Sequence, residues 1–172
     1  MIINTSNTVP KGDQVSQINK FISEEKFHIF EEDFDRPWGG FVRLHEEDVV
    51  KFVSKYFPNN LDLLDSDLPM SPKFLLIAPK MRLSWQYHHR RSEIWRVIAG
   101  SIAIVKSFTD IENEPEIMEE GQIIEFPLSI RHRGIGLDSW GLVAEIWKHE
   151  DNNHPSDESD IVRISDDFNR HL

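Results

Sequence analysis

The chain has 172 residues, of which 39% are hydrophobic, and its formal net charge is -11. This length and composition predict one folded domain and exclude a disordered chain. The absence of cysteine excludes disulfides, thiolate zinc sites and cysteine nucleophiles, and the acidic excess disfavours binding to nucleic acid or to anionic membranes. No membrane-spanning stretch and no signal-like opening is present in the sequence, so we expect a cytoplasmic protein.

Residues 1–35 are predicted to form an N-terminal extension that is partly helical. Apolar residues recur there at helical spacing, namely Val15, Ile18, Phe21 and Ile22. This spacing predicts a helix from Asp13 to about Glu25. A second apolar stripe, from Val49 to Phe57, predicts a helix inserted at about residues 46–58.

From Lys73 onward, short apolar segments alternate with turns. The predicted strands run over residues 74–78, 82–88, 93–99, 102–107, 116–118, 122–126, 130–133 and 141–148, with a last strand at 161–164. Many short strands at close spacing are typical of an antiparallel sandwich or barrel. We therefore predict that residues 36–172 form a single all-β barrel domain that carries the inserted helix.

Four polar side chains have a spacing that suits one metal ion. Gln86 and His88 lie two residues apart in a predicted strand and so point to the same face. Glu93 returns on the next strand, and His132 lies in a later one. An amide oxygen, a carboxylate and two imidazoles suit a single divalent ion, and they do not discriminate between zinc, manganese, iron(II), cobalt and nickel.

Charged residues near these segments are candidates for substrate chemistry. Glu145 shares a strand face with Val143 and Trp147, which predicts a carboxylate in the pocket, although pairing with a neighbouring arginine is an alternative role. Strand alternation places Arg82 and Arg90 on the face of His88. Arginine matches the geometry of phosphate oxygens, so any phosphate site is expected among the local arginines despite the acidic net charge.

The two metal-ligand segments resemble the paired signature of the cupin barrels. The first has the form Lys80-x5-Gln86-x-His88-x4-Glu93-x6-Gly100, and the second keeps Gly121, Pro127 and His132. Within the cupins the chain is most similar to the cupin domain of type II phosphomannose isomerases. This likeness is carried by Arg36-Pro37-Trp38-Gly39, by the segment 83–95, by Phe126-Pro127-Leu128 with His132-Arg133, and by the segments 160–163 and 166–170.

The sequence departs from the family pattern at several positions. Lys80 and Ser129 replace turn glycines, Arg90 replaces a histidine, and Gly136 replaces an asparagine. Trp147 stands where the family has glutamine, so we expect a bulkier and drier pocket floor.

The resemblance implies a double-stranded β-helix, the jelly-roll barrel of the cupins, with short N-terminal and inserted α-helices. It also implies one divalent metal ion and aldose–ketose isomerisation of a phosphorylated sugar, with Arg91 and Arg133 as phosphate-binding residues. Such a conversion needs a base that carries a proton between neighbouring carbons, for which Glu145 is the first candidate and Lys148 and His89 are weaker ones. A non-catalytic cupin that binds a sugar or sugar nucleotide is the alternative, and an iron(II) dioxygenase is a weaker one. Cupins commonly form two-fold dimers, so we expect a homodimer.

Overall fold

In a computed structural model, which describes residues 2–65, 67–168 and 170, the chain folds into two antiparallel β-sheets and two α-helices. The strands are β1 (Ile29–Asp33), β2 (Gly39–Leu44), β3 (Met70–Ile77), β4 (Trp85–His88), β5 (Arg91–Ala99), β6 (Ile102–Ser107), β7 (Glu116–Met118), β8 (Ile123–Phe126), β9 (Arg131–Gly136), β10 (Gly141–His149) and β11 (Ile161–Ser165). The helices are α1 (Lys11–Glu24) and α2 (Val49–Tyr56), and short 3₁₀ turns occupy Glu46–Asp48, Leu61–Asp65 and Glu158–Asp160.

One sheet has six strands in the order β1-β2-β3-β10-β5-β8, and the other has five in the order β11-β4-β9-β6-β7. Strands that are distant in sequence become neighbours in both sheets. The two sheets enclose an apolar interior, which confirms the predicted all-β cupin barrel. The polar site described below lies in that interior.

Side-chain alternation along β10 divides the apolar residues into two layers. Leu142 and Ala144 belong to an outer layer that packs under α1 and α2, whereas Val143 belongs to the layer between the sheets. Both helices therefore cover the outer face of the six-stranded sheet and leave its inner face to the barrel. Among the described residues, no helix is both long enough and apolar enough to cross a membrane.

The N-terminal segment contributes more than a helix. α1 begins at Lys11, two residues before the predicted start, and β1 pairs with β2 at the edge of the six-stranded sheet. Part of the segment predicted as an extension is thus continuous with the barrel sheet, and the division at residue 35 stays a prediction. Asn169, in the last segment of the resemblance, lies outside the described residues.

Two turns keep a left-handed backbone although the family's glycine has been replaced. Lys80 has φ 63° and Ser129 has φ 64°, a region that residues with a Cβ rarely adopt. Ser129 is held by a hydrogen bond from its backbone N–H to the carbonyl of His88, at 3.0 Å. The turn geometry that positions β4 next to β9 is therefore preserved without glycine.

Candidate metal centre and cavity

Three strands bring the predicted metal ligands together inside the barrel. His88 Nε2 lies 3.1 Å from Glu93 Oε1, and His132 Nε2 lies 3.2 Å from Glu93 Oε2. The three side chains are buried, and one donor atom from each lies within 4.8 Å of the others. Gln86 on β4 is the direct cross-strand partner of His132 on β9, so its side chain shares the same sheet face.

One ring nitrogen of His132, Nε2, is buried and presents a lone pair rather than an N–H group. The other ring nitrogen, Nδ1, lies 2.9 Å from the carbonyl oxygen of Ile130, so Nδ1 carries the ring proton and donates a hydrogen bond to that oxygen. His132 Nε2 and Glu93 Oε2 are then two hydrogen-bond acceptors that face each other. Among the described residues, no donor reaches the buried Nε2. Two lone pairs at this distance require either a second proton on the ring or a cation between them.

Burial keeps His88 neutral, whereas neighbouring positive charge keeps Glu93 ionised. Burial alone raises the pKa of Glu93, but His88, Arg91 and His132 together hold that pKa well below its usual value. Burial lowers the pKa of His88 to about 4, against the opposing attraction of Glu93. A neutral imidazole and an ionised carboxylate are the protonation states that bind metal.

Arg91 already supplies a positive charge to this cluster. Its Nε donates to Glu93 Oε1 at 2.8 Å, and its Nη2 lies 3.2 Å from His88 Nε2. Ser156 Oγ accepts from Nη1 at 2.8 Å, which fixes the guanidinium from the other side. A metal bound by both His88 and Glu93 would therefore replace the contact between Arg91 and His88.

The residues present fit a divalent metal. Metal bonds of about 2.1 Å place neighbouring ligand atoms about 3.0–3.4 Å apart in octahedral or tetrahedral coordination. The two observed contacts to Glu93 lie in that range. Gln86 Oε1, which accepts from Ser84 Oγ at 2.6 Å, retains a second lone pair and can complete a mixed nitrogen and oxygen set.

A cavity of about 460 Å³, measured with its open mouth, adjoins the cluster. Its floor includes Glu145, which is buried on β10 opposite Trp95 of β5. Trp95 Nε1 donates to Glu145 Oε1 at 2.8 Å and lies 3.0 Å from Glu93 Oε2, so one N–H connects the two carboxyls. Glu145 Oε2 is buried and has no hydrogen-bond partner within the described part of the chain. Burial, and then the negative charge of Glu93, raise the pKa of Glu145 well above its usual value.

Trp147 forms part of the cavity floor, and it is bulky, as the sequence predicted. Its neighbours, however, are not apolar groups. Lys73 Nζ lies 3.8 Å from the centroid of its ring and the Arg91 guanidinium carbon lies 3.7 Å from it. The indole therefore separates two cations and is attracted to both. Its Nε1 is buried without a partner and is available to an acceptor in the cavity.

Lys73 is a cavity residue that the sequence interpretation missed. It is buried, lies directly across from Glu145, and pairs with Glu158 at 3.1 Å. The predicted strand began one residue later, at Phe74, and so left Lys73 in a loop. The available signal was alternation, because Lys73 is in phase with Leu75 and both side chains face the interior.

The cavity rim is formed by charged side chains that are more exposed than the floor. It consists of Arg36, Glu158, Arg163 and Arg170. Arg163 on β11 is a direct cross-strand partner of Gln86, which places it next to the predicted ligand set. The sequence interpretation assigned the strand around Arg163 and gave this residue no role.

The arginines predicted to bind phosphate are placed differently from one another. Arg91 lines the cavity, whereas Arg133 lies on the other face of its strand and donates to the carbonyl of Leu83 and to Glu112. Arg82 pairs with Asp167, and Arg90 pairs with Asp157, and neither lines the cavity. The alternation that favoured Arg82 and Arg90 fails because β4 covers only Trp85–His88, with Arg82 in an isolated bridge before it and Arg90 in the bend after it.

A buried histidine outside the metal cluster supports Arg91 indirectly. His149 Nδ1 accepts the backbone N–H of Ser156 at 2.9 Å, and its Nε2 lies 3.0 Å from Ser71 Oγ. Ser156 Oγ in turn accepts from Arg91. Because Nδ1 is an acceptor here, the ring is neutral, and burial followed by the charge of Arg91 lowers its pKa to about 4.

His149 should make the protein sensitive to acid. Its pKa is lower in the folded chain than the usual 6.5, so the stability that it contributes is present above pH 6.5 and is lost as the pH falls towards 4. Replacing His149 with asparagine, whose amide oxygen can still accept from Ser156, should remove up to about 3 kcal/mol of the pH dependence. Urea denaturation at several pH values, with chelator present throughout, measures this difference. Parallel stability curves for the two proteins would contradict the assignment.

Comparison with known proteins defines the family. The model of the family described as "Mannose-6-phosphate isomerase C-terminal" matches residues 48–166. The chain belongs to this family. As a member of the mannose-6-phosphate isomerase C-terminal family, it keeps all four predicted metal ligands and Glu145 within the matched residues.

The relatives of this family member are longer proteins. It is 25% identical over 161 residues to a mannose-1-phosphate guanylyltransferase of Salmonella montevideo, covering 91% of this chain and 28% of the relative. It is 24% identical over 178 residues to the xanthan biosynthesis protein XanB of Xanthomonas campestris, covering 99% of this chain and 32% of the relative. The chain therefore spans about a third of the length of these relatives.

A solved structure supports the fold. The capsular polysaccharide assembling protein CapF from Staphylococcus aureus aligns with a TM-score of 0.52 at 14% identity, covering 77% of this chain and 33% of that one. At this identity the likeness shows the shared fold and nothing about activity.

Proposed function

We propose that the chain is a metal-dependent aldose–ketose isomerase that acts on a phosphorylated sugar, with mannose 6-phosphate as the first candidate. The observation that carries the proposal is the convergence of His88, Glu93 and His132 beside a cavity that contains the unpartnered oxygen Glu145 Oε2. The family description supports the choice of a mannose phosphate.

Gln86, His88, Glu93 and His132 are the residues that would hold the metal. When bound, a divalent ion supplies Lewis-acid chemistry, drawing charge from a substrate oxygen and so making the adjacent carbon more acidic. The lone pairs of His132 Nε2 and Glu93 Oε2, which face each other, support this assignment.

Glu145 is proposed as the proton carrier. Its Oε2 has no hydrogen-bond partner among the described residues, so the ionised form of Glu145 can accept the proton from carbon 2 of the aldose and return it to carbon 1. A cation held by Glu93 would offset the negative charge that raises the pKa of Glu145 and so favour this ionised form. The hydroxyl proton of oxygen 2 moves to oxygen 1 in the same conversion, so no oxidant or reductant is consumed. A carboxyl whose pKa is raised by burial is better matched to carrying protons near neutral pH than an exposed one.

Lys73 and Trp95 are proposed to position Glu145 and to stabilise charge. Trp95 Nε1 holds Oε1 and so directs Oε2 into the cavity. Lys73, buried directly across the sheet from Glu145, gives the floor a fixed positive charge that would stabilise the negative charge of an enediolate. The buried floor excludes most water, which strengthens both effects.

The experiment is a direct assay of fructose 6-phosphate formation from mannose 6-phosphate by protein loaded with each of the five candidate metals. We expect turnover with at least one metal, its loss on chelation, and its recovery when metal is returned. A panel of other aldose phosphates extends the search for substrate. Thermal stabilisation by sugar phosphates without product from any of them would instead favour the alternative, a non-catalytic sugar-binding cupin. The homodimer stays a prediction.

A further inference from the structure

Arg163 differs from the other two arginines of the rim because no described residue forms an ion pair or a hydrogen bond with its guanidinium. Arg36 Nε lies 2.7 Å from Asp33, and Arg170 Nε donates to Asp166 at 3.1 Å. Among the described residues, Arg163 makes no side-chain hydrogen bond and no ion pair, and its Nε is buried without a partner. A partly buried cation that loses hydration without a direct ion pair is suited to binding an anion.

Positive charges surround this group. Burial, and then repulsion from Arg170, lower the pKa of Arg163, and Arg36 acts in the same direction. Asp166 and Glu158 oppose this effect, but each already pairs with another cation, Asp166 with Arg170 and Glu158 with Lys73. The rim therefore has an uncompensated positive charge, although the chain as a whole carries -11.

The position of Arg163 relative to the metal ligands is set by the sheet register. Arg163 on β11 pairs with Gln86 on β4, which pairs with His132 on β9. Directly opposite residues share a sheet face, so the three side chains form a row that points into the barrel. Neighbouring strands lie about 5 Å apart, which places the Arg163 backbone about 10 Å from that of His132.

We propose that Arg163, with Arg36 beside it on the rim, binds the phosphate group of the substrate while the sugar end extends past Gln86 to the metal ligands. This inference rests on the proposed function for the identity of the ligand. A planar guanidinium donates two parallel hydrogen bonds to phosphate oxygens, and no described residue accepts a hydrogen bond from Arg163 Nε. Arg91, which the sequence interpretation favoured, already donates to Glu93, Ser156 and the carbonyl of Asp157.

The test compares binding of mannose 6-phosphate and of mannose by calorimetry, with turnover measured separately. Arg163→Gln should weaken binding of mannose 6-phosphate about 10- to 100-fold and leave mannose binding unchanged. Arg163→Lys, which keeps the charge and loses the paired geometry, should lie between wild type and Arg163→Gln. Inorganic phosphate should compete with mannose 6-phosphate in the wild type and compete more weakly in Arg163→Gln.

Arg131→Gln is the matched control, because Arg131 pairs with Asp110 and does not line the cavity. It makes the same charge change and should leave both affinities unchanged. Equal loss in Arg131→Gln and Arg163→Gln would show a general charge effect and overturn the proposal, as would wild-type affinity in Arg163→Gln. If Arg163→Gln does not fold, Arg163→Lys decides: weaker binding of mannose 6-phosphate with unchanged binding of mannose supports the proposal, and wild-type affinity for both overturns it. A 10-fold loss without any turnover would support the anion site and reject the isomerase.

Discussion

Replacing Glu93 with glutamine is expected to destabilise the metal-free protein by about 3 kcal/mol and to lower its affinity for divalent metal at least 100-fold. The stability loss follows from Arg91, which is buried and would lose the carboxylate that balances its charge. The new amide cannot replace both oxygens, since Arg91 Nε donates to Oε1 while Trp95 Nε1 donates to Oε2. One of these donors would face an N–H group. The metal loss follows because Glu93 is the ligand that contacts both His88 and His132.

Urea denaturation with chelator measures the first effect, and equilibrium dialysis followed by metal analysis measures the second. Glu145→Gln is the control, because it makes the same chemical change in the same cavity, and its side chain accepts from the same Trp95 N–H. We expect this control to keep both stability and metal. Wild-type metal stoichiometry and affinity in Glu93→Gln would show that Glu93 is not a metal ligand.

The sequence was most informative where the geometry is local. Gln86 and His88 are two residues apart on one strand, and alternation alone gives them a common face. The same rule gave Val143, Glu145 and Trp147 a common face, and Glu145 and Trp147 both line the cavity. It failed across the turn between β4 and β5, where the backbone is no longer extended. Arg90 was therefore assigned to the face that Arg91 occupies.

The rest of the site depends on which strands become neighbours, and single-sequence patterns do not determine this. Arg163 lies beside Gln86 only because β11 joins the edge of the five-stranded sheet next to β4. Lys73 lies across from Glu145 only because β10 inserts between β3 and β5. Neither pairing has a local signal, so Lys73 was left outside the predicted strand and Arg163 was given no role.

Replacing Glu145 with glutamine is expected to reduce isomerase turnover about 10²- to 10⁴-fold while leaving the fold and the metal affinity unchanged. Burial and Glu93 already favour the protonated form of Glu145 in the metal-free protein, so the neutral amide is close to isosteric with the native side chain. Oε1 keeps its hydrogen bond from Trp95, and Oε2 has no partner to lose. The free energy of unfolding should therefore change by less than about 1 kcal/mol.

What the amide loses is the ability to take up and release a proton at the position of Oε2. The assay is turnover of mannose 6-phosphate at saturating metal, together with exchange of the substrate's carbon-bound proton with deuterated solvent. Both should fall together in Glu145→Gln, because both require the same group to remove that proton. Turnover at the wild-type rate would remove Glu145 from the mechanism. A loss of turnover accompanied by loss of metal would instead show that Glu145 supports the metal cluster.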